Sequence, residues 1–145
     1  PAHAPDFRTR ASDFAGRLSA LDADFRDGLR TCASRVLVTS HAAFGYLADR
    51  YQLTQASIAG VSPDAEPDAA TMSEIVARIR QEGVTTVYSE TLASPALAQT
   101  IARETGATMA VLDPIEGLTD QSAGTDYLEI MRSNLATLRA GQGCS

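Results

Sequence analysis

Four short apolar runs alternate with segments of helical periodicity, and this alternation constrains the fold more than any other feature. The runs have the β-branched and apolar character of buried strands and lie at 36–39, 57–61, 84–88 and 108–112. The helical segments that follow them cover 42–51, 68–82, 95–105 and 125–140. Strands that alternate with helices of this length are joined by right-handed crossovers and form a parallel sheet. We therefore predict an α/β fold in which helices sandwich a four-stranded parallel sheet.

A long amphipathic helix precedes this pattern. Apolar residues recur at steps of three and four from Phe7 to Leu29, and Pro5 suits a first helical turn. The predicted helix, 5–30, is about 40 Å long at 1.5 Å per residue, which is more than a compact domain of this size usually needs. The chain is therefore predicted to have two parts, a long linking helix in 1–31 and an α/β lobe in 32–145.

Charge and hydropathy exclude two classes of partner. The formal net charge is -6, whereas nucleic-acid binding requires concentrated Lys and Arg to displace counterions from phosphates. No apolar run approaches the roughly 20 residues that a membrane-spanning helix requires. We predict neither nucleic-acid binding nor a membrane span.

The two cysteines, Cys32 and Cys144, flank the predicted lobe. In the loop-entropy account, a disulfide between them would restrict the unfolded chain by about 4 to 5 kcal/mol. The alternative is two unrelated thiols in a cytosolic protein. The spacing alone leaves both interpretations open.

Several polar residues follow the predicted strands: Ser40 and His41 after the first, Ser89 and Glu90 after the third, and Asp113 after the fourth. In open parallel sheets, ligands bind beyond the carboxyl ends of the strands. Imidazole nitrogen and carboxylate oxygen suit zinc, although a tight zinc site usually has three or four protein ligands. The alternative is that the histidine opens a helix, one acid is solvated and the other forms a turn before proline.

Enzymatic interpretations find less support. Ser40 or Ser89 could act as a nucleophile with His41 as base, but the sequence has no GxSxG elbow. GxGxxG and GxxxxGKS loops are absent too, and a phospho-receiver domain needs a lysine, which this chain does not contain. Two alternatives remain open: an α/β enzyme acting on a small molecule at the strand ends, and an interaction module in which the first helix pairs chains.

Four stretches, TSHAAFGYLADRYQL, GVSPDAEP, VYSE and VLDPIEGL, together resemble one family in order and spacing. It is the zinc and manganese group of substrate-binding proteins of ABC importers. That family has two α/β lobes joined by one long rigid helix, with the metal in the cleft between them. The resemblance implies a non-enzymatic zinc-capture protein, of which this chain is the C-terminal lobe with its linking helix. The N-terminal lobe, with two further histidine ligands, would lie outside the chain.

The resemblance also implies roles for individual residues. His41 matches the family ligand that opens the helix after the first strand, and histidine there is the zinc form. Asp113 falls on the family's carboxylate ligand near the end of the last strand. Glu90 matches a recurrent family acid and, with Ser40, is expected to support the ligands. His3, in the N-terminal segment, is expected to be solvated.

The resemblance further implies partners and a location. Zn²⁺ would occupy a half-site in this chain, completed by the N-terminal lobe of the same protein. An ABC transporter permease would receive the ion, and a periplasmic metallochaperone is a further expected partner. A periplasmic or otherwise extracytoplasmic location would allow a Cys32–Cys144 disulfide to persist.

Overall fold

The computed structural model describes residues 3–62, 67–92 and 94–145. Within these ranges the helices are α1 (Ala4–Gly28), α2 (Gly45–Arg50), α3 (Ala69–Glu82), α4 (Ala96–Thr105) and α5 (Tyr127–Gly141), and the strands are β1 (Val36–Thr39), β2 (Thr54–Ser57), β3 (Thr86–Ser89) and β4 (Thr108–Val111). The strands form one parallel sheet in the order β2-β1-β3-β4. The predicted α/β class with a four-stranded parallel sheet is confirmed. None of the described helices has the length and apolar content required to cross a membrane.

Each face of the sheet carries its own apolar core, because successive side chains of a strand point to opposite faces. Leu37 of β1 and Tyr88 of β3 pack with residues of α1, α2 and α5 on one face. Val38 and Val87, their neighbours in the same strands, pack with α3 and α4 on the other face. The helices therefore cover both faces, as predicted.

The second strand lies three residues earlier than predicted. β2 covers Thr54–Ser57 and pairs with β1 at the edge of the sheet, so its exposed positions are polar and the strand lacks an apolar run. The apolar segment predicted at 57–61 instead forms the exit of the strand, where the N–H of Ile58 donates to the carbonyl of Thr39 at 2.9 Å. The prediction was wrong because it searched for a strand buried on both faces.

The C-terminal half of α1 packs against the rest of the fold. Phe25 is fully buried and its ring stacks on that of Tyr51, with 5.1 Å between the ring centroids. Asp22 accepts two hydrogen bonds from the guanidinium of Arg50, at 2.6 and 2.8 Å. The N-terminal half of α1 leaves its apolar residues uncovered, since Phe7 and Phe14 are exposed.

At the amino ends of the strands, side-chain contacts join neighbouring segments of the chain. Arg35, just before β1, donates to the carbonyls of Leu29, Tyr51 and Gln52 at the ends of α1 and α2. Helix C-termini leave such carbonyls without intrahelical partners, so this guanidinium serves two helices at once. The segment before β1 and the C-terminus of the chain are also joined by a disulfide between Cys32 and Cys144. The predicted disulfide is therefore present.

The strand order places a topological switch point between β1 and β3. From β1, the chain passes through α2 to β2 on one side, and α3 then returns it across the opposite face to β3 on the other side. Crevices for ligands form at the carboxyl ends of strands at such a point. His41 and Glu90 follow these two strands.

Candidate metal centre

The main chain of His41 is held from both neighbouring strands. Its N–H donates to Glu90 Oε1 at 3.1 Å. Its carbonyl accepts from the hydroxyl of Thr39 at 2.7 Å and from the side-chain amide of Gln55 at 3.0 Å. The residue is only 4% exposed. The imidazole is thus mounted on a rigid part of the molecule.

The imidazole of His41 makes different contacts through its two nitrogens. Nδ1 contacts Oε2 of Glu90, whose side chain is almost completely buried. A carboxylate beside Nδ1 favours the tautomer with its proton on Nδ1, which leaves the lone pair of Nε2 for a ligand. Nε2 faces the Glu116 carboxylate, with 3.8 Å between Nε2 and Oε1. The arrangement orients one nitrogen donor and brings a second acid towards it.

Burial dominates the electrostatics of Glu90. It raises the pKa of the Glu90 carboxyl above its ordinary value, and the Glu116 carboxylate adds to this rise. The main-chain N–H and the imidazole of His41 act in the opposite direction, because both favour the ionised form. The buried carboxylate therefore depends on His41 as its partner, and the imidazole depends on the carboxylate for its orientation.

Asp113 also lies at the carboxyl end of the sheet and is buried, but its contacts are with other residues. Its N–H donates to Asn134 Oδ1 at 2.9 Å, and its Oδ1 accepts from the N–H of Ile115 at 2.8 Å. Its Oδ2 is buried and has no hydrogen-bond partner among the described residues. Among the residues that the structure describes, no hydrogen bond or ion pair joins Asp113 to His41. Glu90 and Asp113 both border a cavity of 470 Å³.

Three other predicted positions are accounted for as well. The Ser40 hydroxyl donates to the carbonyl of Tyr88 at 3.4 Å, which ties the exit of β1 to β3. Ser89 donates to a carbonyl of β4, at Ala110. His3 is exposed, with Nδ1 3.8 Å from a carboxylate oxygen of Asp6. The middle of the GVSPDAEP motif, 63–66, lies outside the described residues.

Glu116 is the residue that sequence reasoning missed. It lies within VLDPIEGL, three residues beyond Asp113, in the loop that follows β4. An acid in such a loop can reach back over the strand ends. The motif therefore contains the signal, but the prediction considered only the acid nearest the strand.

The donor set is nitrogen and carboxylate oxygen, which fits zinc. Within 3–62, 67–92 and 94–145, however, no group of three or more His, Cys, Asp and Glu residues is arranged to hold a metal ion. A zinc site usually uses four ligands. The donors that the described residues bring together are therefore fewer than a zinc site usually uses.

Residues 1–141 match the family model described as ZnuA, zinc-uptake complex component A, periplasmic. The chain is 43% identical over 141 residues to the zinc-binding protein AdcA of Streptococcus pyogenes, covering 96% of this chain and 27% of that relative. It therefore spans about a quarter of AdcA.

Solved structures share the fold over nearly the whole chain. The laminin-binding protein Lmb of Streptococcus agalactiae, described as an adhesin with metal-transporting activity, matches with a TM-score of 0.91 and 32% identity, over 98% of this chain and 55% of that one. The zinc-bound ZnuA-like domain of Streptococcus pneumoniae AdcA matches with a TM-score of 0.75 and 38% identity, over 97% of this chain and 55% of that one. The chain belongs to the ZnuA family of periplasmic zinc-uptake components.

Proposed function

We propose that this chain supplies half of an extracytoplasmic zinc-capture site and that the captured ion is delivered to an ABC permease. The observation that carries the proposal is the buried imidazole of His41. Glu90 holds its Nδ1, and its Nε2 faces an acid at the carboxyl ends of the strands. Zn²⁺ is the cargo of this site, and Nε2 would be the nitrogen donor.

Family membership supports the transport role. Members of the ZnuA family are metal-binding transport proteins and not enzymes, and relatives carry the names zinc-binding protein and zinc-binding lipoprotein. These names also support an extracytoplasmic location, where a disulfide such as Cys32–Cys144 persists. The alternative of a stand-alone α/β enzyme is therefore set aside.

The carboxylate donor has two candidates. The sequence predicts Asp113, whose buried Oδ2 has no hydrogen-bond partner among the described residues. The geometry favours Glu116, because its Oε1 lies 3.8 Å from the ring nitrogen of His41 that keeps its lone pair. An ion between these two groups would be bound by one nitrogen and one oxygen.

The rest of the coordination sphere is proposed to come from an N-terminal lobe of the same protein. The long helix in 1–31 would link that lobe to the lobe in 32–145, and the metal would lie in the cleft between them. The relatives support this arrangement, since the chain spans 55% of the Lmb structure and 27% of AdcA. A periplasmic metallochaperone is a further proposed partner.

The imidazole donor favours zinc over manganese. First-row divalent ions bind nitrogen donors in the Irving–Williams order, in which Zn²⁺ lies well above Mn²⁺. A site with only carboxylates would show a weaker preference. We therefore expect Mn²⁺ to compete poorly at His41.

Titration calorimetry with ZnCl₂ tests the proposal. The chain should bind zinc weakly, because two protein donors give little chelation, and His41→Ala should weaken binding by about tenfold or more. His3→Ala is the matched control, since it removes the other histidine and should leave the affinity unchanged. Nanomolar affinity for a verified monomer would contradict the half-site, and an unaltered affinity in His41→Ala would contradict the assigned nitrogen.

A further inference from the structure

The backbone of the turn after β4 is unusual. Ile115, directly before Glu116, has a φ of 63°. This left-handed region is costly for a residue that is not glycine, and more so for a β-branched one. Such a conformation persists only where the surrounding contacts fix it.

Asn134 provides one set of these contacts. It is buried in α5 at 4% exposure. Its Oδ1 accepts from the N–H of Asp113 at 2.9 Å, and its Nδ2 donates to the carbonyl of the same residue at 2.8 Å. One amide thus satisfies both main-chain groups of Asp113, much as a neighbouring strand would.

The Asp113 side chain provides the other contact. Its Oδ1 accepts from the N–H of Ile115 at 2.8 Å, which holds the peptide between Pro114 and Ile115, one residue before Glu116. An aspartate that bonds the main chain two residues later stabilises a turn through its acceptor oxygen, and its charge is not required. The side chain of Asn offers the same acceptor.

Glu116 has most to gain from this support. Its side chain is about half exposed, so it has conformational freedom to lose when it binds an ion. A fixed main chain leaves only its side-chain torsions to be ordered. Preorganisation of this kind increases affinity by lowering the entropy lost on binding.

We infer that Asn134 and Asp113 are positioning residues that hold the 113–116 turn so that Glu116 faces Nε2 of His41. The inference rests on the proposed zinc site and deepens it. It gives Asp113 a role through the acceptor Oδ1, in contrast to direct ligation by its charge. The two roles respond differently to a change from carboxylate to amide.

The experiment compares Asp113→Asn with Asp113→Ala, in the full chain titrated with ZnCl₂. Asp113→Asn keeps the acceptor and should stay within about twofold of the wild-type zinc affinity. Asp113→Ala removes the acceptor and should bind about tenfold more weakly, with faster amide exchange at the Ile115 N–H. A loss in Asp113→Asn as large as that in Asp113→Ala would overturn the inference, because it would mean that the charge itself binds the ion.

A second variant keeps the test decisive if Asp113→Ala fails to fold. Ile115→Gly accepts the positive φ without strain but frees the turn, so it should fold and bind zinc about threefold more weakly. An unchanged affinity in this variant would count against the inference. If wild-type zinc binding does not depend on His41, the proposed function fails and the inference with it. Failure of the inference alone would leave the His41 dependence intact.

Discussion

The two ends of the sheet differ in how they use buried polar groups. At the amino ends, Arg35 donates to main-chain carbonyls and a disulfide joins Cys32 to Cys144. At the carboxyl ends, the ionisable groups of His41 and Glu90 are buried against each other. The first set of contacts joins chain segments, whereas the second set holds donor atoms in place.

Under the proposed function, stability and binding are divided between the two ends. Burying ionisable groups is costly, and a buried pair is a weak source of stability even when its partners match. Contacts that close long loops or satisfy helix carbonyls stabilise the fold at a smaller cost, because Arg35 is only partly buried. Substitutions at the amino ends should therefore change unfolding, and substitutions at the carboxyl ends should change zinc binding.

Removing the disulfide should have the largest effect on stability. Replacing both Cys32 and Cys144 by Ser opens a loop with a sequence separation of 112. In the loop-entropy account, the free energy of unfolding should fall by about 4 to 5 kcal/mol. Urea titration followed by circular dichroism measures the loss, and zinc affinity should be unchanged while the variant stays folded. Reduced zinc affinity in the folded variant would contradict the division of stability and zinc binding between the two ends of the sheet.

Gly141, at the end of α5, should give the next largest effect. A Cβ at this position would overlap the Tyr88 hydroxyl and lie 2.9 Å from its Cζ. Gly141→Ala should therefore lower the free energy of unfolding by about 3 kcal/mol. Adding Tyr88→Phe removes the overlapping oxygen and should recover part of the loss in thermal melts. No recovery in the double variant would show that the clash lies elsewhere.

Glu90→Gln tests whether a substitution at the carboxyl ends of the strands changes zinc binding more than stability. Gln keeps an acceptor for the His41 N–H, but its amide donor would face Nδ1 and favour the tautomer with its proton on Nε2. Zinc affinity should fall by about tenfold to a hundredfold, which is about 1.4 to 2.8 kcal/mol. The change in the free energy of unfolding should be smaller than this. Glu82→Gln, at the exposed end of α3, is the control and should alter neither quantity.

The smallest effect concerns the contact between α1 and α2. The pKa of Asp22 is lowered from an ordinary value of 3.8 to about 2, and the hydrogen bonding from Arg50 is the largest cause. A lowered folded-state pKa means that the ion pair stabilises the fold above about pH 3.8 and that this contribution is lost as the pH falls through about 2. Because solvent screens the pair, the effect should be modest. Acid titration of Asp22→Asn should show less loss of stability across this range than the wild type. Equal loss in both proteins would contradict the assignment.

Much of the fold could be predicted because its signals are local. β1 is an apolar run that ends in Thr39, and its bounds are those predicted. Gly83 and Gly106 end their helices with positive φ, as glycines at such positions do. β2 was misplaced because its sequence, TQAS, has no apolar run, while the segment directly after it does.

The candidate site was less accessible to sequence reasoning. The positions of His41 and Glu90 followed from the rule that ligands gather at strand ends, and the structure places them in contact. The approach of Glu116 depends on a turn held by Asn134, which lies in α5, 18 residues further along the chain. No local pattern encodes a contact of that kind. The ligand role of Asp113 stays a prediction.

The central claim is that Nε2 of His41 binds zinc while Glu90 keeps the proton on Nδ1. Two-dimensional ¹H–¹⁵N NMR of the histidine rings tests it directly, because the chain contains only two histidines. On addition of ZnCl₂, the Nε2 signal of His41 should shift, its Nδ1 should stay protonated, and the signals of His3 should stay in place. An unshifted His41, or equal shifts at both histidines, would contradict the account.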